Sequence, residues 1–393
     1  MPLWIKGKRV GSAEPVELFV EGSNIQAGPG SPTASERAIG GKDHWVAPAF
    51  FDIQVNGFAG VDFNTTGLQP DDCRLIVSKL REKGVVLFCP TVITHSFEHQ
   101  WACLKAIARA CHDSTLSQSI PCIHLEGPYL SREEGPRGAH PAEHIRRADW
   151  TEFLRLQDAA EGRIGMVTVA PEVPAALRLI EKLTEAGIVV AIGHTAAEPQ
   201  IIRDAIRAGA KTSTHLGNGS HVRIPRHHNY IWEQLAADEL RASFIVDGHH
   251  LPPSVVKCMI RAKGCRRSIL TSDAISAAGM PPGNYRLGKV EVVVHPNCKV
   301  ERIDLAGTGI LAGSALDLLR GVENVINFAG VSLADAVAMA STNPAELMGI
   351  SSRLGSIEPG CEANLLVFEK LSSSQSLDLK YAIQAGEIVF ASA

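Results

Sequence analysis

Several residues in this chain stand where an apolar run stops and chemistry could begin. Ile120-Pro121-Cys122-Ile123-His124-Leu125-Glu126 leads into Gly127-Pro128; proline cannot donate to a sheet ladder and glycine weakens one, so Glu126 is left at the C-terminal end of a strand. Desolvating an unpaired carboxylate costs several kcal/mol, so Glu126 calls for a metal, a cation or a proton, a neighbouring arginine being the plain alternative. Ile188-Val189-Val190-Ala191-Ile192 runs into Gly193-His194-Thr195, and His215 closes the next strand candidate in the same way. A single strand-end histidine is usually a hydrogen-bonded structural residue. Glu126, His194 and His215 together are different, because one Glu and two His with an open position form the ligand set of a catalytic zinc.

Asp273, in Ile269-Leu270-Thr271-Ser272-Asp273-Ala274, ends the last strand candidate and is placed to act as a general base on a metal-bound water. Its alternative is an ordinary turn aspartate. His140, in Arg137-Gly138-Ala139-His140-Pro141, falls on the loop after the third strand candidate and could polarise a carbonyl, although a surface histidine is equally consistent with the sequence. Arg223, Arg226, His227 and His228 form a local cationic cluster that suits an anionic substrate, since a guanidinium grips phosphate through two parallel hydrogen bonds. Arg226 is the first choice because Pro225 stiffens the chain before it; a solvated basic loop is the alternative.

The elements that must position these groups alternate. Strand candidates are Trp45 to Val55, Gly84 to Thr94, Ile120 to Glu126, Arg163 to Ala170, Gly187 to Gly193, Thr212 to His215, Arg241 to Val246 and Ser268 to Ser272, with helical periodicity between them, as over Cys73 to Leu80, Pro174 to Ala186 and Ile201 to Ala208. Eight such units predict an α/β protein built on a (β/α)8 barrel, whose catalytic groups sit at the C-terminal strand ends. Gln54 and Asn56, Glu126, His194, His215, His250 and Asp273 all obey that rule. A hairpin is expected over Lys289 to Ile303, then helix from near Ala315 to about Met348. The segment from Trp4 to about Pro48, punctuated by Gly28-Pro29-Gly30-Ser31-Pro32, and the segment from Leu354 to Phe390 read as strands and turns. Both are expected to pair into one small β domain, residues 1–48 with 350–393, leaving 49–349 for the barrel.

Composition limits the partners. The 393 residues carry a net charge of −4, with 45% hydrophobic and 20% charged residues, the balance of a globular enzyme. No basic surface for nucleic acid is expected, and no apolar run reaches the roughly 18 residues a membrane helix needs. The first residues lack an apolar signal core, and the nine scattered cysteines contain no Cys-x-x-Cys pair. Reduced thiols in a cytoplasmic protein are expected.

Read together, Pro48-Ala49-Phe50-Phe51-Asp52-Ile53-Gln54-Val55-Asn56-Gly57, His124-Leu125-Glu126-Gly127-Pro128, Gly138-Ala139-His140-Pro141, Gly193-His194-Thr195, Thr214-His215-Leu216-Gly217-Asn218, Asp247-Gly248-His249-His250, Ser272-Asp273-Ala274 and Leu311-Ala312-Gly313-Ser314 resemble the N-acetylglucosamine-6-phosphate deacetylases of the amidohydrolase superfamily. Ser341-Thr342-Asn343-Pro344-Ala345 and Leu354-Gly355-Ser356-Ile357-Glu358-Pro359-Gly360 look like the superfamily's C-terminal signature. The resemblance implies one divalent metal, zinc first, on Glu126, His194 and His215. Asp273 would be base and then acid, and His140 would polarise the amide carbonyl. His250, Asn218 and the backbone near Gly219 would bind an amino-sugar substrate, in a homodimer. Where many amidohydrolases carry His-x-His on strand one for a second metal, this chain has Gln54 and Asn56, and neutral amides bind transition metals poorly. After Asn218 the sequence departs from the family's usual phosphate-binding segment, so Arg226 rests on the local cationic cluster alone. Rival expectations are an amidohydrolase acting on another N-acyl or unphosphorylated substrate, and a sugar-binding barrel without turnover.

Overall fold

The computed structural model describes residues 2–27, 37–287, 290–303, 311, 313–371 and 376–392. Eight strands form one parallel sheet in sequence order: β1 (Phe50–Val55), β2 (Val85–Ile93), β3 (Ile123–Glu126), β4 (Ile164–Val169), β5 (Val189–Ile192), β6 (Thr212–Ser213), β7 (Arg241–Phe244) and β8 (Ser268–Leu270). Helices such as Pro70–Arg81, Ala176–Glu185 and Pro199–Arg207 alternate with them, at the positions that the helical periodicity predicts. Every residue of β1 is buried, as expected when side chains fill the interior and helices cover the outside. The expected barrel is therefore present, although most strands are shorter than the apolar runs that predict them.

The seam between β8 and β1 is closed without a regular ladder. Val55 bridges Ala274, whose carbonyl accepts from the N–H groups of Asn56 (2.8 Å) and Gly57 (3.0 Å). Asp52 of β1 reaches across the same seam, accepting from the Thr271 hydroxyl at 2.8 Å and from the Ser272 N–H at 3.2 Å.

A second sheet takes strands from both ends of the chain. Its order is Glu387–Ala391, Leu377–Gln384, Leu365–Lys370, Arg37–Pro48, Leu3–Arg9, Pro15–Glu21 and Asn24–Gln26. The first strand candidate, Trp45 to Val55, is thus two strands, not one. Arg37–Pro48 belongs to this sheet and Phe50–Val55 to the barrel; at Ala49 the N–H donates to the Asn364 carbonyl, and at Phe50 to that of Gly84, so the chain changes partners there. The expected hairpin is three-stranded and starts earlier, over Gly283–Leu287, Val290–Val294 and Val300–Arg302. Lys289, Ala312 and the Gly28 to Pro32 punctuation lie outside the described residues. The helix expected near Ala315 begins at Leu318, where the Asp317 side chain accepts from the Arg320 N–H.

The C-terminal signature has a physical job in this fold. The buried Asn343 amide donates to the carbonyls of Cys265 (2.8 Å) and Ser268 (2.7 Å), fixing the entry to β8. Asn343→Leu should leave both carbonyls without this donor and lower stability by roughly 1–3 kcal/mol, read as a reduced urea midpoint at unchanged slope.

Candidate active site

Glu126, His194 and His215 meet at the C-terminal mouth of the barrel. Glu126 Oε1 lies 3.1 Å from His194 Nε2 and 3.0 Å from His215 Nε2, and all three side chains are buried. Burial alone would push the Glu126 carboxyl up, but the hydrogen bonds and charges of the two histidines outweigh it and hold the group well below the usual carboxylate range. Burial opposes charge on His215 too, yet Glu126 and Asp273 raise its pKa overall.

The tautomer of His194 shows what the cluster is suited to hold. Its Nδ1 lies 2.9 Å from the Pro136 carbonyl, which can only accept, so Nδ1 carries a proton and Nε2, facing the Glu126 carboxylate, is the nitrogen left to take a second proton or a metal. Positive charge between Nε2 and the carboxylate, a proton or a metal ion, is what holds the pair together at 3.1 Å. Two loops pin the ring: a Cβ on Gly219 would come within 2.6 Å of His194 Nδ1, and one on Gly138 within 3.3 Å of Cε1. Gly219 is thus confined to glycine by the histidine beneath it, with φ at +56° as a second reason.

His140 is buried in the cluster rather than on the surface. Its Nε2 is 3.2 Å from His194 Nε2, and Glu126, His140 and His194 are the group whose ligand atoms all lie within 4.8 Å of one another. Its Nδ1 lies 2.9 Å from the Thr94 hydroxyl, which also lies 3.4 Å from the Glu126 carbonyl; when the hydroxyl donates to the nearer Nδ1, Nε2 carries the proton. Burial first, then neighbouring His194, pushes His140 down to about 3, so it is neutral at pH 7. His124 is likewise neutral, lowered to about 4 by burial, and begins a chain running through Thr168 Oγ1 to Thr214 Oγ1 with 2.7 Å at each step.

Asp273 lies three residues beyond the end of β8, with Oδ1 accepting from Asn56 Nδ2 at 2.7 Å. Burial raises its pKa, while the nearby His215 lowers it and Glu126 raises it further. His194, His215 and Asp273 have φ of +51°, +26° and +49°. For residues with a Cβ this conformation costs of order 1–3 kcal/mol each, and such strain clusters where chemistry is done. Gln54 is buried with no partner for Nε2, and Asn56 with none for Oδ1, so the strand-one amides leave polar atoms to spare beside the base.

The remaining expected residues divide. His250 Nδ1 pairs with Asp247 Oδ2 at 2.6 Å, leaving Nε2 for a ligand. Asn218 and Gly219 line a cavity with His194, Thr195 and Tyr230. Arg226, His227 and His228 do not join them: they are exposed on the loop before helix Tyr230–Ala236, which Asn229 caps at 3.0 Å from the N–H groups of Ile231 and Trp232. Sequence reasoning missed Thr94 and Pro136, which carry no local signal, and Asp52, whose signal is its two-residue spacing from Gln54 and Asn56. Among the described residues no helix is long and apolar enough to cross a membrane.

The amidohydrolase family model matches residues 45–389. Bovine (Bos taurus) N-acetylglucosamine-6-phosphate deacetylase is 31% identical over 99% of this chain and 91% of its own length. N-acetylgalactosamine-6-phosphate deacetylase of Escherichia coli O157:H7 is 34% identical over 82% of this chain and 83% of its own. Among solved structures, a mutant N-acetyl-D-glucosamine-6-phosphate deacetylase from Mycobacterium smegmatis, in complex with N-acetyl-D-glucosamine-6-phosphate, superposes with a TM-score of 0.86 at 30% identity, covering 99% of both chains. With the family model spanning most of its length, this chain belongs to the amidohydrolase family.

Proposed function

We propose that this amide hydrolase removes the acetyl group from an N-acetylated amino sugar 6-phosphate, N-acetylglucosamine 6-phosphate first, releasing acetate and the free amine. The observation that carries the reading is the convergence of Glu126, His194 and His215, with Asp273 close enough for its charge to act on His215. The similar proteins of bovine and E. coli origin act by name on the gluco and galacto forms, which supports the substrate class.

Glu126, His194 and His215 would hold one divalent metal, zinc by their donor set, which when bound acidifies a water and withdraws electrons from the amide carbonyl. His215 is preferred to His140 as third ligand because it is hydrogen-bonded to the same Glu126 oxygen as His194, whereas His140, though near Glu126, is hydrogen-bonded to His194 and Thr94. Asp273, its Oδ1 engaged by Asn56, keeps Oδ2 to take the proton from water and then to hand it to the departing nitrogen. His140, protonated on Nε2, donates to the carbonyl oxygen as negative charge grows there. His250 and Asn218, with the Gly219 backbone, hold the sugar. Arg226 stands outside its own pocket, which suits a cytoplasmic homodimer in which this loop reaches the phosphate in the neighbouring copy.

Acetate release from N-acetylglucosamine 6-phosphate tests the assignment directly. Asp273→Asn should retain metal and fold while losing about 10²–10⁴ in turnover, and near-native turnover would transfer the base to another group.

Elemental analysis separates the histidines. Native protein should hold close to one metal per chain; His215→Ala should lose it, while His140→Ala should keep it and lose turnover. The opposite pattern would exchange their roles.

Arg226→Ala should weaken use of the phosphorylated sugar far more than use of N-acetylglucosamine itself. Equal kcat/KM on both sugars in the native protein would remove the phosphate and leave the deacetylation.

A further inference from the structure

Asp52 is a buried acid with no cationic partner among the described residues, 1% exposed on the first barrel strand. Everything that touches its carboxylate is a donor. Oδ1 accepts from the Gln54 N–H (3.3 Å), the Thr271 hydroxyl (2.8 Å) and the Ser272 N–H (3.2 Å), and Oδ2 from the same Ser272 N–H (3.2 Å). Two of these donors immediately precede Asp273. We propose that Asp52 is a positioning residue for Asp273, gripping residues 271 and 272 across the barrel seam so that the next residue is held in its left-handed conformation with its carboxylate toward the metal-binding cluster.

The opposite side of the turn is held as well. Ala274 is tied to β1 through its carbonyl, at 2.8 Å and 3.0 Å from the Asn56 and Gly57 N–H groups, and its own N–H donates to Ser272 Oγ at 3.2 Å. Asp273 is therefore the one link between two anchored segments, and its φ of +49° would relax if either anchor were released. A seam needing only closure could use an apolar residue at position 52, as at Phe51 and Ile53. Burial instead pushes the Asp52 carboxyl up to about 6, an unfavourable placement that the donors on Thr271 and Ser272 partly offset. The first strand and its exit thus hold Asp273 twice, Asp52 through the two preceding residues and Asn56 through the carboxylate itself.

This inference rests on Asp273 as the base. Turnover per metal-loaded chain is the readout, with KM, metal content and melting temperature measured on the same samples. Asp52→Ala should lower kcat about 10- to 100-fold, the scale expected when a reacting group is misplaced by roughly 1 Å, with KM changed by less than about twofold. Asp52→Asn keeps an oxygen where Oδ1 accepts three of the bonds and should restore most of that loss. Thr271→Val removes only the shortest bond and should give an intermediate kcat; it carries the test if Asp52→Ala does not fold. Native kcat per bound metal in Asp52→Ala or in Thr271→Val, a change confined to KM, or no recovery in Asp52→Asn would each overturn the assignment. Loss of activity in Asp273→Asn with native turnover in Asp52→Ala would leave the deacetylase reading standing and remove this inference alone.

Discussion

The arrangement depends on one ionised carboxylate kept out of water. Glu126 is buried at the end of β3, and a charge in that position is tolerated only where positive charge and donors converge on it. His194 and His215 supply that convergence, and their approach constrains much else: the Pro136 carbonyl that fixes the His194 tautomer, the two glycines that let loops close over its ring, and a barrel that brings strands three, five and six to one mouth. Charge is rationed in the same space. Glu126 is held anionic while His124 and His140 are held neutral, so the cluster draws in a cation without carrying one of its own on those two rings.

The backbone accepts strain to deliver these groups. Left-handed conformations at His194, His215 and Asp273 aim each side chain away from the direction the strand would otherwise give it. Such conformations persist when both flanks are over-determined. For His215, the N–H donates to Ser243 Oγ at 2.8 Å and the next N–H to the Ser243 carbonyl at 2.9 Å, so β7 clamps the residue that leaves β6. The rigid ladder therefore serves as the reference frame from which strained strand ends are measured.

Much of this was legible in the sequence because parallel strands buried on both faces appear as short apolar runs, and polar residues at their ends stand out. Glu126, His194, His215 and Asp273 stand out in that way as candidates. The limits were equally physical. Trp45 to Val55 reads as one strand because only Pro48 interrupts its first half, and the partners that divide it at Ala49, Asn364 and Gly84, are distant in sequence. Asp52 hid inside the same stretch, since its donors at 271 and 272 become neighbours only when β8 meets β1. The one available signal was its two-residue spacing from Gln54 and Asn56. His140 could not be called buried from its loop, because what buries it is the Thr94 hydroxyl at the end of another strand.

The strand Arg37–Pro48 sits between Leu3–Arg9 on one edge and Leu365–Lys370 on the other. During synthesis the first neighbour is made at once, whereas the second appears only after the whole barrel has been translated. Until then one edge of the apolar end of this strand, with Val46 and Ala47 facing Val367 and Leu366 in the finished sheet, stays open to any extended segment that meets it. That open edge is an aggregation risk while the barrel is being made, and the strand Leu365–Lys370 is the one that ends it.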